Sequence, residues 1–461
     1  MQQNTQARLD LARPAADGLF LPDLLRIGVP IALQNLVSAS VNMLGTVMVG
    51  QLGSAALAAV GLGNQIYFLL LIFLFGVSTG GGVFTAQYWG KRDIAGIRRT
   101  LGLSYLVGMA VALAFTIAAL AFPAGLIGLY SRDPEVISIG AGYLRVVALS
   151  YPPMAMSFVL GLAMRSVEKV RLPLVATTLS LALSLSLSWL LIFGGLGIPA
   201  MGVVGAAWAT VAARVVEALI LFIVSYARRY PTAARLRELV DWGGAWVARF
   251  WIIALPVMLN EVTWSLGITT YNAIFARAGT GAVAAYSVIT TVGNLAMVVF
   301  FGTANAAAVM IGKKIGEGRL EAAFTYARRF AIMAPLIGVA VGAVLVPLRL
   351  LLPLVFRLEE AVLAQASIML LVLAATVPFK AFNLHLVVGI CRSGGDTRFG
   401  MLYDLGGVWG LGVPLAALGA FVWGLPAWGI FLMTSSDEVG KSLFGVWRLM
   451  SRKWIHDVTV H

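Results

Sequence analysis

Long apolar stretches alternate along this chain with short breaks of glycine, proline and charge. Twelve stretches can be separated, at about residues 24–49, 58–89, 101–127, 136–164, 172–194, 202–226, 251–277, 281–311, 326–353, 362–391, 400–421 and 426–449. Each reaches the roughly 20 residues that a helix needs to cross the hydrocarbon of a bilayer. The pattern predicts an all-α polytopic membrane protein with twelve transmembrane helices. The longest break, RRYPTAARLRELVDWGGAWVAR at 228–249, is basic and holds Pro231 and a Gly pair. It separates six spans from six. The expected organisation is a first lobe at 1–227, a linker at 228–249, a second lobe at 250–450 and a tail at 451–461.

Composition agrees with this class. The chain is 60% hydrophobic and 11% charged, against roughly 25% charged residues in soluble domains. No soluble fold of this length hides so much apolar surface. The opening stretch MQQNTQARLDLARPAADGLF is mostly polar and lacks the apolar core and cleavage site of a secretory leader. The first span is therefore expected to be retained and to act as its own insertion signal. The lone cysteine, Cys391, excludes an intramolecular disulfide and is read as a small packing residue.

The net charge of +13 would suggest nucleic acid in a soluble protein. Its distribution gives another reading. Twelve spans place both termini on one side, and 26 of the 33 Lys and Arg residues fall there, Lys441 among them. Arg132, Arg277, Arg349 and Arg357 fall opposite, and Arg145, Arg214 and Lys380 fall within spans. The positive-inside rule puts the basic side in the cytoplasm. The charge is topology, and no nucleic-acid partner is expected.

The halves repeat. A shift of 226 lays IGVP at 27–30 on IALP at 253–256, Gly76 on Gly302 and Gly90 on Gly316. A shift of 227 lays Arg165 and Ser166 on Arg392 and Ser393, and GIPAMG at 197–202 on GLPAWG at 424–429. Six spans is an even number, so both halves enter from the same side. The repeat is parallel, with its axis along the membrane normal, as in transporters whose two bundles rock about a central site. Pro30 and Pro256 fall at equivalent positions, which favours a shared bend.

The runs SVNMLGTVMVGQLGSAALAAVGLGNQ, FTAQYWGKRD, LLIFGGLGIPAMGVVGAAWAT, LNEVTWSLGITTYNAIFARAGT, AVMIGKKIGEG and CRSGGDTRFGMLYDLGGVWGLGVPLA occur in order between about residues 22 and 450. Together they resemble the MATE family, the multidrug and toxic compound extrusion transporters, and within it the bacterial NorM-like branch. The resemblance implies two six-helix lobes in the inner membrane and export of organic cations or amphiphilic drugs in exchange for Na⁺ or H⁺. It implies no cofactor beyond that coupling ion. The chain is expected to be a monomer whose remaining partner is membrane lipid. Glu261 matches the branch's span-7 glutamate. The span-1 aspartate usual in relatives is replaced by Gly45, and VPFKAFNLHLVVG in span 10 carries Lys380 where the branch tends to have an acid.

A charge at the centre of a bilayer costs roughly 2.5–3.5 kcal/mol even on lenient insertion scales, so it must face a cavity, pair or take a proton. Glu261 and Lys380 fall at similar depth on the basic side of mid-membrane, which puts a Glu261–Lys380 pair within geometric reach. Glu261, Lys380 and Asp404 are the candidate cation-coupling residues, with Glu261 a Na⁺ ligand if sodium is the coupling ion. Asp404 is also in reach of Arg392 or Arg398. Asn35, the repeat partner of Glu261, together with Arg145 and His385, are candidate cavity-lining residues, with a packing role the alternative for His385. Arg214 and Glu217 are three apart on one helix face and are expected to neutralise each other. A flippase for a lipid-linked precursor is an alternative, disfavoured because few cations fall within spans. An intramembrane enzyme is less favoured, because the sequence has no H-E-x-x-H, no His/Cys metal cluster and no carboxylates paired at helical spacing within spans.

Overall fold

The structure is a computed structural model, and it describes residues 20–195, 197–356 and 358–460. The opening segment and Arg357 lie outside the described residues. Among the described residues eleven helices are long and apolar enough to cross a membrane: α1 Phe20–Gly50, α2 Ser54–Lys91, α3 Ile94–Ala121, α4 Pro134–Ser166, α5 Arg171–Phe193, α6 Gly202–Ala227, α7 Gly244–Ala278, α8 Thr280–Gly316, α9 Leu320–Val355, α10 Glu360–Cys391 and α11 Thr397–Phe421. The chain is a multi-pass, all-α membrane protein. A twelfth helix, α12 Ala427–Met450, has 24 residues but carries Asp437, Glu438, Lys441 and Arg448. It packs against α10 and α11, with Asp437 and Lys441 buried.

Three helices begin well ahead of their apolar stretches, by about two turns: α3 at Ile94, α7 at Gly244 and α9 at Leu320. Their first turns contain charges, which interrupt an apolar run but not a helix. Asp93 caps α3 by accepting from Gly96 N at 2.9 Å. Arg98 and Arg99, within the first turns of α3, pair with Glu238 and Asp241 of the linker at 2.6 and 2.7 Å.

Helices α1–α6 form one lobe and α7–α12 the other. The lobes meet where α1 and α2 cross α8 and where α2 runs along α7. These contacts follow the repeat, since α1 corresponds to α7 and α2 to α8. They are made by small residues in the basic-end half. A Cβ at Gly80 would stand 2.7 Å from Ala254 Cα, and one at Gly302 would stand 2.7 Å from Ala32 Cβ. At Gly90 an added Cβ would run into the Lys313 carbonyl, so only glycine allows this approach.

The tail does not hang free. Trp454 is fully buried, and His456 N donates to Gly394 O at 2.8 Å. Gln87 of α2 donates to Ser393 O at 2.9 Å and to His456 O at 3.0 Å, and it accepts from Val458 N at 2.9 Å. Lys91 pairs with Asp457 at 3.0 Å. The tail thus ties the α10–α11 turn of one lobe to the end of α2 in the other.

Candidate functional site

Glu261 sits midway along α7 and lines a cavity of about 470 Å³. The cavity draws walls from both lobes: Phe68, Leu71 and Phe75 of α2 and Phe158 of α4 on one side, and α7, α8, α10, α11 and α12 on the other. Its α2 residues precede the seam positions Gly76 and Gly80, so it lies beyond the seam from the basic end. The size is that of a small-molecule site, apolar over most of its wall with a few polar groups at one end.

The polar end holds Glu261, Asp404, Glu438, Lys380, Lys441 and Arg392, with Asn260 and Asn383 beside them. The Glu261–Lys380 pair that their shared depth allows is not formed. Arg392 Nη2 donates to Glu261 Oε1 at 2.6 Å, while Lys380 Nζ lies 5.7 Å from the centroid of the Phe431 ring. Residues His385–Cys391 at the end of α10 form a π-helical turn. Arg392 follows it, and its long side chain reaches Glu261 as Arg165 reaches Gln34 from a regular helix in the first lobe. Nor does Asp404 bind Arg392 or Arg398. Its Oδ2 accepts from Asn260 Nδ2 at 3.2 Å, and its Oδ1 lies 3.4 Å from Lys441 Nζ.

Lys441 belongs to this cluster and not to the basic loops to which its place in the sequence assigned it. Its ammonium faces Glu438 at 3.2 Å and Asp437 at 3.8 Å as well as Asp404. Asn383 Nδ2 donates to Glu438 Oε2 at 2.7 Å, and Tyr403 Oη donates to Asn383 Oδ1 at 2.7 Å. Four carboxylates (Glu261, Asp404, Asp437 and Glu438) therefore stand among three side-chain cations. The span pattern did not single out Asp437, Glu438, Lys441 or Asn260. A signal for three of them was present as D-E-x-x-K in α12, with the lysine i+3 and i+4 from the acids.

The candidate lining residues fare differently. His385 is fully buried, shares hydrogen bonds with Ala381 O at 2.8 Å and Thr303 Oγ1 at 2.9 Å, and stacks on Phe330. It is a satisfied packing histidine. Arg145 is exposed; Tyr143 and Val147, two residues to either side, line a first-lobe cavity, so Arg145 points away from it. Asn35 is half-buried, and its neighbour Gln34 takes the role assigned to it. Gln34 Oε1 accepts from Arg165 Nη2 at 2.7 Å, and Gln34 Nε2 donates to Thr177 Oγ1 at 2.7 Å. Arg214 and Glu217 pair at 2.7 Å as expected.

These bonds repeat across the lobes. Arg165 to Gln34 on α1 corresponds to Arg392 to Glu261 on α7. Gln34 to Thr177 corresponds to Asn260 to Asp404, and Arg214 falls on Lys441 under the shift of 227. Both lobes share one polar framework, but the second lobe has carboxylates where the first has an amide and a hydroxyl. The first-lobe cavity, about 390 Å³, is lined by Asn42, Gly45, Asn64, Tyr67, Ser188 and Arg214 among others, and by no acid. Gly45 opens onto space: a Cβ there would meet nothing within 4 Å.

Comparison with known proteins agrees with this arrangement. The family model described as MatE matches residues 30–190 and 256–418. The chain is 28% identical over 420 residues to the "Probable multidrug resistance protein NorM" of Agrobacterium fabrum, covering 88% of each chain. It is 26% identical over 428 residues to the "Multidrug resistance protein PmpM" of Pseudomonas aeruginosa, covering 90% of this chain and 87% of that one. The solved structure "Outward-facing conformation of a multidrug resistance MATE family transporter of the MOP superfamily" superposes with a TM-score of 0.83 at 21% identity, covering 94% of this chain and 96% of that one.

Proposed function

Since the chain belongs to the MatE family, whose members are transporters and not enzymes, we propose that it is a secondary active antiporter. It exports cationic or amphiphilic drugs from the cytoplasm in exchange for Na⁺ or H⁺. The observation that carries the reading is Glu261. This carboxylate is mostly shielded from solvent, lines a cavity shared by both lobes, and is held by an arginine at the lobe seam.

The inner membrane and cytoplasmic termini follow from the basic loops by the positive-inside rule. With that orientation the close seam at Gly76, Gly80 and Gly90 shuts the cytoplasmic side, and the 470 Å³ cavity lies beyond it. The drug occupies the aromatic part of the cavity, where ring faces attract cations. The coupling ion occupies the polar end. With every group ionised, four acids against three bases leave one negative charge, which one proton or one Na⁺ neutralises. A Na⁺ would also draw on Asn260 Oδ1, a buried acceptor without a hydrogen-bond partner among the described residues.

Coupling requires each ligand to prefer one state. Neutralising Glu261 releases Arg392, which also lines the seam, so ion binding is linked to how the lobes close. The test is dye efflux from reconstituted vesicles under separate Na⁺ and pH gradients. Glu261→Gln is expected to abolish gradient-driven efflux while dye binding persists. Efflux at the wild-type rate would remove Glu261 from the mechanism.

A further inference from the structure

A second cavity, about 40 Å³, lies in the seam between the lobes. Its walls come in pairs related by the repeat: Thr79 with Asn305 at a shift of 226, and Arg165 with Arg392 and Ser166 with Ser393 at 227. It therefore straddles the pseudo-twofold axis. Two guanidiniums converge on it, one from each lobe, and like charges brought together in a low dielectric repel strongly.

Their compensation is incomplete. Arg392 is 5% exposed and gives Nη2 to Glu261, but its Nη1 is buried without a partner among the described residues. Arg165 gives Nη2 to the neutral amide oxygen of Gln34, and its Nε is likewise buried and unpartnered. The nearby hydroxyls are committed: Ser166 and Ser393 donate to Leu162 O and Gly389 O at 3.1 and 2.7 Å. One amide hydrogen of Asn305 goes to Phe301 O at 2.7 Å, leaving the other. The donors left over thus belong to two arginines and an amide, and no carboxylate lines the cavity. Buried donors left unpaired are costly, and charged ones more so, because they have given up water for nothing.

We propose that this cavity is a binding site for a small monovalent inorganic anion of the chloride type. The anion bridges Arg165 and Arg392 on the axis and stabilises the state in which the basic end is closed. Size limits the class. At about 40 Å³, against about 470 Å³ for the carboxylate cavity, it has room for a halide-sized ion and its water and is far too small for a drug-sized anion. The site is distinct from the carboxylate cavity and meets it at Val388 and Arg392.

Chloride is the probe. Purified protein in detergent is titrated with chloride against gluconate at constant ionic strength, and the ³⁵Cl NMR line width is followed. Wild type is expected to show saturable broadening. Arg165→Gln is expected to raise the half-saturating concentration at least tenfold. Gly82→Ala, whose methyl would sit 3.4 Å from Ser166 Oγ and fill part of the cavity with no change of charge, is expected to do the same and covers the case in which loss of the arginine impairs folding. Excess line width that stays flat as chloride rises instead of falling away as the site fills, or half-saturation unchanged in Gly82→Ala and in folded Arg165→Gln, would overturn the proposal and leave the cavity to water. Because the readout needs no transport, failure of the antiporter reading would not mimic either result.

Discussion

Lys441 is one ammonium shared by three carboxylates, Asp404, Asp437 and Glu438, at the centre of the second lobe. Its side chain is 8% exposed, so the cluster gains little help from solvent. Replacing one partner of a buried ionic group strands the others, at a cost of about 3–5 kcal/mol. Lys441→Met is therefore expected to lower the unfolding midpoint in detergent markedly, and combining it with Asp437→Asn is expected to restore part of the loss. An unchanged midpoint for Lys441→Met would mean that water reaches the carboxylates after all. At this scale the sequence was a partial guide. Glu261 was conspicuous as an acid in an apolar run. Its true partner was hidden, because Arg392 lies just past the tenth apolar stretch and counts among the basic residues of the break that follows.

Among elements, the linker shows how a polar break becomes structure. Tyr226 Oη donates to Ala234 O, folding the chain back on the end of α6. The short helix Leu236–Leu239 then brings Glu238 to Arg98. Glu238 accepts from Arg235 N at 2.6 Å, and this bond, with the Arg98 pair, holds its carboxyl below the usual range. A depressed pKa adds stability above the ordinary carboxylate pKa and loses it as pH falls through the folded value. Limited proteolysis between Ala227 and Gly243 should thus accelerate as pH drops below about 4, and Glu238→Gln should remove that dependence. Equal pH profiles for the two proteins would sink this account. The twelfth helix teaches the converse lesson. By composition α12 is the poorest span, yet its charges face partners on neighbouring helices, so hydropathy underrates it.

Over the whole molecule, the two lobes are joined at one end by glycine-lined helix crossings and by the tail. Gln87 uses both ends of its amide here, tying α2 to Ser393, His456 and Val458. Loss of these bonds should loosen closure at the basic end. In a Cys391→Ala background, Ala86→Cys, a buried seam position, is expected to react slowly with a maleimide. Adding Gln87→Ala is expected to speed labelling several-fold. No change in rate would show that the glycine crossings suffice without the tail.

Taken alone, the sequence determined the class, the run of helices and the parallel repeat, because each depends on hydrophobic length and spacing, which are additive along the chain. It also singled out Glu261 and the Arg214–Glu217 pair, because local spacing governs both. Tertiary structure alone decided which cation holds Glu261, that Lys441 and two more acids join the site, that Gln34 and not Asn35 does the work in the first lobe, and that two arginines meet on the axis. Those facts depend on helix phase and on neighbours up to several hundred residues apart, and in a helix that turns by about 100° per residue a shift of one position presents a different face to the neighbours.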